Sequence, residues 1–292
     1  MRTRKTLKEL TLKDNFLFGA VMSDENNCHR LLELILQIPI ERVIVSKEKS
    51  ILYHPEYKGV RLDVYAKDEN QTHYNVEMQA VKQRTLGKRS RYYHSHIDME
   101  MLESGAEYSK LPDTYVIFIC DFDPFGHGKY RYTFESCCLE SSTANLMEGR
   151  KTIFLNTHGT NPEDVPEAMV KFLNYVKADL VESTRDFEDD FVKTLQKSVQ
   201  DIKGKREMEE SYMTWRYNLF IQDERYEAKE EGLAEGLVQG KAESIIELLT
   251  EIEPVPEELQ AKIMSETDLS VLKTWLKLAA KSESMDQFLQ HM

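Results

Sequence analysis

Purely apolar runs are short in this sequence, Tyr115–Cys120 among them. None approaches the ~20 residues a helix needs to cross a bilayer, so no membrane span is expected. Cysteine is scarce, with four residues at Cys28, Cys120, Cys137 and Cys138. Their spacing is not that of a zinc site, and the adjacent Cys137–Cys138 pair makes poor ligand geometry. They are expected to be reduced thiols, buried or half-buried. No glycine-rich phosphate loop occurs, which leaves an ATP-driven mechanism without support. Positive charge is in deficit: 38 Lys and Arg stand against 51 Asp and Glu, a net charge of −13. That weighs against a nucleic-acid partner, since phosphate binding is driven by cations, although their distribution matters more than their sum. The N-terminus is basic, yet Glu9 and Asp14 follow where a secretion signal would be apolar, and a cytoplasmic protein is expected.

What is present suits a folded protein. The chain has 292 residues, 41% hydrophobic and 10% aromatic, enough for one ordinary core with an appendage or for two small domains. Residues 1–40 read as helical, with Asp24 as a cap and Pro39 as a stop. Ile40–Ser46 is strand-like, and Leu52–Gly59 reads as a loop. Val60–Ala66 alternates as a strand, Lys67–Thr72 is a polar turn, and His73–Ala80 alternates again, which predicts a hairpin. Leu86–Lys110 is helical, and Tyr115–Cys120 suits a strand buried on both faces. Asp121–Gly128 is a loop, Tyr130–Cys138 and Lys151–Asn156 are two further strands, and only helices are expected afterwards. The order predicts an α/β core with a mixed central sheet flanked by helices, plus a helical C-terminal extension. Its expected parts are a core over 1–180, a charged helical linker over 181–244 and a small helical module over 245–292. Within the linker, Gly232, Gly236 and Gly240 recur on one helical face. They either permit close helix pairing, which would make a homo-oligomer through this region, or mark a weakly helical connector.

The chemistry sits in the hairpin. If its turn is symmetric about Asn70, Asp63 pairs with Glu77, with Cβ atoms about 4.5–5.5 Å apart. Gln79 shares their face. Two carboxylates so close in a core repel unless a proton or cation intervenes, and a hard divalent cation with oxygen ligands suits them. A slip of one residue would turn the second strand's side chains to the other face. Directly after comes a basic island free of acids from Val81 to His96, with Lys82, Arg84, Lys88, Arg89 and Arg91 and then His94 and His96. An ion at the acids would activate water against a phosphodiester, and the island would track the phosphate backbone. Taken singly, each feature also fits an ordinary solvated face.

Several separated motifs resemble the PD-(D/E)XK nuclease family transposases, also called recombination-promoting nucleases. They are Leu12-Lys13-Asp14-Asn15-Phe16-Leu17-Phe18, Arg61-Leu62-Asp63-Val64 with Ala66-Lys67-Asp68, and Asn75-Val76-Glu77-Met78-Gln79. Lys88-Arg89-Ser90-Arg91-Tyr92-Tyr93, Gly105, Tyr108, Asp121-Phe122 and the glycine repeat match as well, in order, over roughly residues 10–240. The resemblance implies a restriction-endonuclease-like fold and Mg²⁺-dependent cleavage of DNA, with Mn²⁺ as a substitute. Asp63 would be the first metal-binding acid and Glu77 the second. Gln79 stands where the wider superfamily usually has lysine, and glutamine cannot supply charge. An alternative is therefore a catalytically degenerate nuclease fold that binds DNA or protein. Of the remaining candidates, His54 and His73 read as surface or loop histidines and Glu33 as a helix residue that would face the site only in one arrangement. Tyr93 reads as core, Tyr92 as a stacking surface, and Trp215 and Trp275 as packing anchors.

Overall fold

The computed structural model describes residues 5–51 and 60–292. His54 and the expected loop over 52–59 lie outside the described residues. The N-terminal region forms two helices, α1 (Asn15–Met22) and α2 (Glu25–Leu36). Asp24 caps α2 by accepting from the Asn26 and Asn27 N–H groups. The helix ends ahead of Pro39, on Gln37, which is left-handed at φ 57°. Then follow β1 (Val43–Ile51), β2 (Val60–Asp68) and β3 (His73–Gln79), α3 (Leu86–Met101), β4 (Thr114–Cys120), β5 (Arg131–Phe134) and β6 (Arg150–Asn156). The sheet runs β1-β2-β3-β4-β6-β5. β3, β4 and β6 are parallel, and the outer pairings are antiparallel. This is a mixed sheet with helices against it, the restriction-endonuclease-like α/β architecture expected.

β4 is the middle of that sheet and is buried on both faces. Val116, Phe118 and Cys120 pack beneath Leu86, Tyr93 and Ile97 of α3, while Ile117 and Ile119, pointing the other way, are equally buried. Phe118 stacks on Phe154 of β6 and on Tyr93. α1 lies on β2 and β3, α2 on β1, and both meet α5 (Asp190–Gly204); α4 (Glu167–Lys177) also meets α2 and α5. Residues 190–204 thus bury Phe191, Val192 and Leu195 within the first unit, although their sequence reads as charged linker. Two elements are shorter than expected. α3 stops at Met101, where Leu102 turns extended and Gly105 takes φ +83°, so that the chain doubles back into β4. β5 stops at Phe134, and Cys137 and Cys138 beyond it are exposed rather than buried or half-buried; Cys28 and Cys120 are buried. All four are free thiols, and burial pushes Cys28 and Cys120 up to about 12.

The chain divides into two compact units, the second beginning at Met213. α6 (Arg206–Ile252) supplies its first helix, followed by α7 (Glu257–Ser265), α8 (Leu269–Ala279) and α9 (Met285–His291). Ile245, Leu249, Leu259, Ile263, Leu272, Trp275 and Phe288 form its core, so Trp275 is a packing anchor there. Gly232, Gly236 and Gly240 are helical within α6, and among the described residues a Cβ added to any of them would meet no atom within 4 Å beyond its own neighbours and the nearby helix backbone. No helix among the described residues is long and apolar enough to cross a membrane.

The β2–β3 turn is fixed by Asp68. Its Oδ1 accepts from the Asn70 and Thr72 N–H groups, each at 2.9 Å. Its Oδ2 accepts from the Tyr74 hydroxyl at 2.7 Å, and the carboxylate is buried. This side chain sets the hairpin's register. Replacing Asp68 with Ala strands these donors and is expected to cost about 2–4 kcal/mol in urea denaturation; a loss below about 0.5 kcal/mol would show that the register is held elsewhere.

Candidate active site

The β2–β3 ladder pairs Lys67 with His73, Ala66 with Tyr74, Tyr65 with Asn75 and Val64 with Val76, and stops there. Continuing the same register sets Asp63 opposite Glu77, the pairing expected from a turn centred on Asn70. At that point side chains replace the ladder. The Asp63 N–H donates to Glu77 Oε1 at 3.2 Å, and the Met78 N–H donates to Asp63 Oδ2 at 3.3 Å. The strands open where the acids stand, because the carboxylates take the backbone donors. Glu77 lies on the α3 side of the sheet, level with Phe118 in the parallel β3–β4 register and bonded to Arg89 and Tyr93 of α3.

Glu77 is fully buried. Besides the Asp63 N–H, it accepts from Asn75 Nδ2 at 3.1 Å, from Arg89 Nη2 at 2.7 Å and from the Tyr93 hydroxyl at 3.3 Å. Burial pushes its carboxyl up from the ordinary 4.5 to about 8, and the Asp63 charge adds to that, outweighing the opposing pull of Arg89. Asp63 accepts from Asn15 Nδ2 at 3.3 Å, so the start of α1 reaches the site. Gln79 is buried at the end of β3 and accepts from Arg89 Nη1 at 3.2 Å. Its own carbonyl accepts from the Asp121 N–H at 2.9 Å, which ties the loop after β4 to the site. Asp121 is paired with Lys13 at 3.1 Å.

The basic island divides in two. Lys82, Arg84, Lys88 and Arg91 are exposed, and none forms an ion pair among the described residues. Arg89 turns inward instead, pairs with Glu77 and lies 5.1 Å from the centre of the Tyr93 ring. His94 and His96 add no charge to the island. Both are buried; His94 is bound between Thr114 and Thr152, and burial, aided by Arg150, pushes it down to about 3. Burial lowers His96 as well.

Other expectations resolve individually. His73 is not a surface histidine: it is buried at the start of β3 and hydrogen-bonded to the Tyr65 hydroxyl. Glu33 accepts from the Ile40 N–H at the end of α2, away from the acids. Tyr93 is core, and Tyr92 is exposed, edge-on to His96. Trp215 is half-buried. Sequence reasoning gave no site role to Asn15, Asn75 or Tyr93 and assigned Arg89 to the outer surface. The signal for Arg89 and Tyr93 was their four-residue spacing, which stacks two side chains on one helical face.

A buried glutamate beside a half-buried aspartate at an opened hairpin, on a mixed sheet of this order, is a nuclease-like arrangement. The family model for the PD-(D/E)XK nuclease family transposases matches residues 12–229. That is well over half of the chain, and the protein belongs to this family. Comparison with curated proteins finds no match, and comparison with solved structures finds none.

The raised Glu77 carboxyl has a measurable consequence. Between 4.5 and about 8 it is ionised in the unfolded chain and protonated in the fold, so its contribution to stability is undiminished below this window and lost as pH rises through it. In chelator, the Tm of Glu77→Gln minus that of the wild type is expected to grow from the bottom of the window to its top. A flat or shrinking difference in calorimetry would mean that Glu77 is ionised in the folded protein.

Proposed function

We propose that the protein is a Mg²⁺-dependent DNA endonuclease, with Mn²⁺ able to substitute, and that Asp63, Glu77 and Gln79 form its catalytic cluster. The observation that carries this reading is the placement of Asp63 and Glu77 on one opened hairpin, with the Asp63 N–H on Glu77 Oε1. PD-(D/E)XK nucleases generally use divalent metal ions, and the donor set here fits one. It offers two carboxylates, both hard donors. Asn75 Oδ1, buried next to Glu77, accepts no hydrogen bond among the described residues and suits a bound water. Among the described residues no group of three His, Cys, Asp or Glu side chains gathers to hold a metal, at this site or any other. Two carboxylates suffice for Mg²⁺, which keeps several waters. Asp63 and Glu77 would hold the ion, which supplies charge for the phosphoryl oxygen and lowers the pKa of a water.

The chain's own residues do the rest. The Asn15 amide holds Asp63, and the Asn75 and Tyr93 donors hold Glu77. The exposed Lys82, Arg84, Lys88 and Arg91 lie just beyond β3 and along the start of α3, where they would position the phosphates of a DNA strand. A second reading, a nuclease fold that binds DNA without cutting it, is favoured by one feature: the neutral Gln79 at the third position of the cluster.

Plasmid cleavage separates the two. The wild type is expected to cut supercoiled DNA in Mg²⁺ or Mn²⁺ and not in chelator, with Asp63→Ala slower by at least about 100-fold. Equal rates for the two proteins would sink the assignment of Asp63, and salt-dependent binding without turnover would favour the second reading. The double change Lys88→Glu, Arg91→Glu is expected to weaken DNA binding for all sequences alike and to flatten its salt dependence.

A further inference from the structure

Gln79 carries no positive charge to set against developing negative charge, and the nearby lysines do not reach it. Lys82 is exposed beyond the strand end, and Lys13 is bound to Asp121 and to the Lys177 carbonyl. Arg89 does reach it. Its guanidinium spans Glu77 Oε2 at 2.7 Å and Gln79 Oε1 at 3.2 Å, its Nε is hydrogen-bonded to the Tyr93 hydroxyl, and the Tyr93 ring lies 5.1 Å from its centre. Arg89 is thus oriented from three sides while its side chain stays 29% exposed, open toward the surface that the basic island lines.

We propose that Arg89, oriented by Gln79 and Tyr93, is the cationic group of this site, and that its place against Glu77 is exchanged for one on the substrate phosphate. The proposal rests on the nuclease reading above and assigns Arg89 a part in that same site. In the protein alone, the guanidinium is bound to the Glu77 carboxyl group. When Glu77 serves as a cation ligand, Arg89 keeps its bonds to Gln79 and Tyr93, and its Nη2 donors are released for a phosphate oxygen. A rigid fork suits that exchange, because a guanidinium can bind a carboxylate or a phosphate with the same pair of N–H groups. Gln79 is then an orienting residue: its amide oxygen holds the arginine that carries the charge.

The same positive charge opposes cation binding and favours turnover, so removing it must move the two in opposite directions. Mg²⁺ affinity is measured by calorimetry on the full chain, and kcat and KM on a DNA duplex. Arg89→Ala is expected to bind Mg²⁺ at least about threefold more tightly and to lose about 100-fold in kcat with KM little changed. Arg89→Lys keeps the charge without the fork; it is expected to bind Mg²⁺ like the wild type and to lose about tenfold in kcat. Adding Gln79→Lys to Arg89→Ala returns a cation to the site and is expected to recover at least about tenfold of the lost kcat. Weaker Mg²⁺ binding by Arg89→Ala, an unchanged kcat, or no recovery by Gln79→Lys would each overturn the proposal. If Asp63→Ala abolishes cleavage while Arg89→Ala retains full kcat, only this proposal fails. If the wild type neither binds Mg²⁺ nor cuts DNA, the nuclease reading fails and the proposal falls with it.

Discussion

A carboxylate taken out of water next to a second carboxylate is an unfavourable arrangement that the first unit has to offset. The free energy of burying a single ion amounts to several kcal/mol even after relaxation, and a like charge adds to it. Glu77 meets this with four donors and a partly held proton, and those donors come from β2, β3 and two successive turns of α3. Strand order, the opened ladder and the inward lean of α3 all serve that one group. Folds that keep such a residue sacrifice some stability at that position.

The scaffold supplies rigidity where the site needs it. β4 is packed on both faces, and the Phe118–Phe154 and Phe118–Tyr93 stacks fix the floor under α3. Tyr93 therefore acts in two ways, with its ring in the core and its hydroxyl on Glu77 and Arg89. From the other side, α1 delivers Asn15 to Asp63, and the loop after β4 is hooked to Gln79 by its backbone. Family membership and the mixed sheet agree with this arrangement. The second unit shares none of these groups; its apolar cluster runs from the end of α6 through α9.

Much of this is legible in the sequence, because hairpins obey local rules. Alternation over 60–66 and 73–80, together with a polar turn, is enough to set Asp63 opposite Glu77, and the apolar run at Tyr115–Cys120 marks the buried strand. What is not legible depends on direction in three dimensions. Charge counting treats Lys88, Arg89 and Arg91 alike, yet helical geometry turns only Arg89 inward. His73, His94 and His96 look like surface groups, because nothing local announces the hydroxyl partners of His73 and His94 or the strands that cover all three. α5 reads as charged linker since Phe191, Val192 and Leu195 form a narrow apolar stripe among charged neighbours. β5 reads too long because Cys137 and Cys138 suggest a continuing strand, whereas the ladder ends at Phe134 opposite Thr152, before Glu135 and Ser136.

Glu77 lies 14 residues from Asp63 and 12 from Arg89. The side chains proposed to carry the chemistry are thus strung along a short contour, a hairpin and the first turns of the helix that follows it. Such a segment closes its contacts over small loops, whose entropy is modest, so it can take shape before the distant strands β5 and β6 are in place. It also means that insertions in the outlying loops leave the spacing among these groups untouched, and that the proposed centre can be inherited, or transplanted, as one nearly continuous cassette.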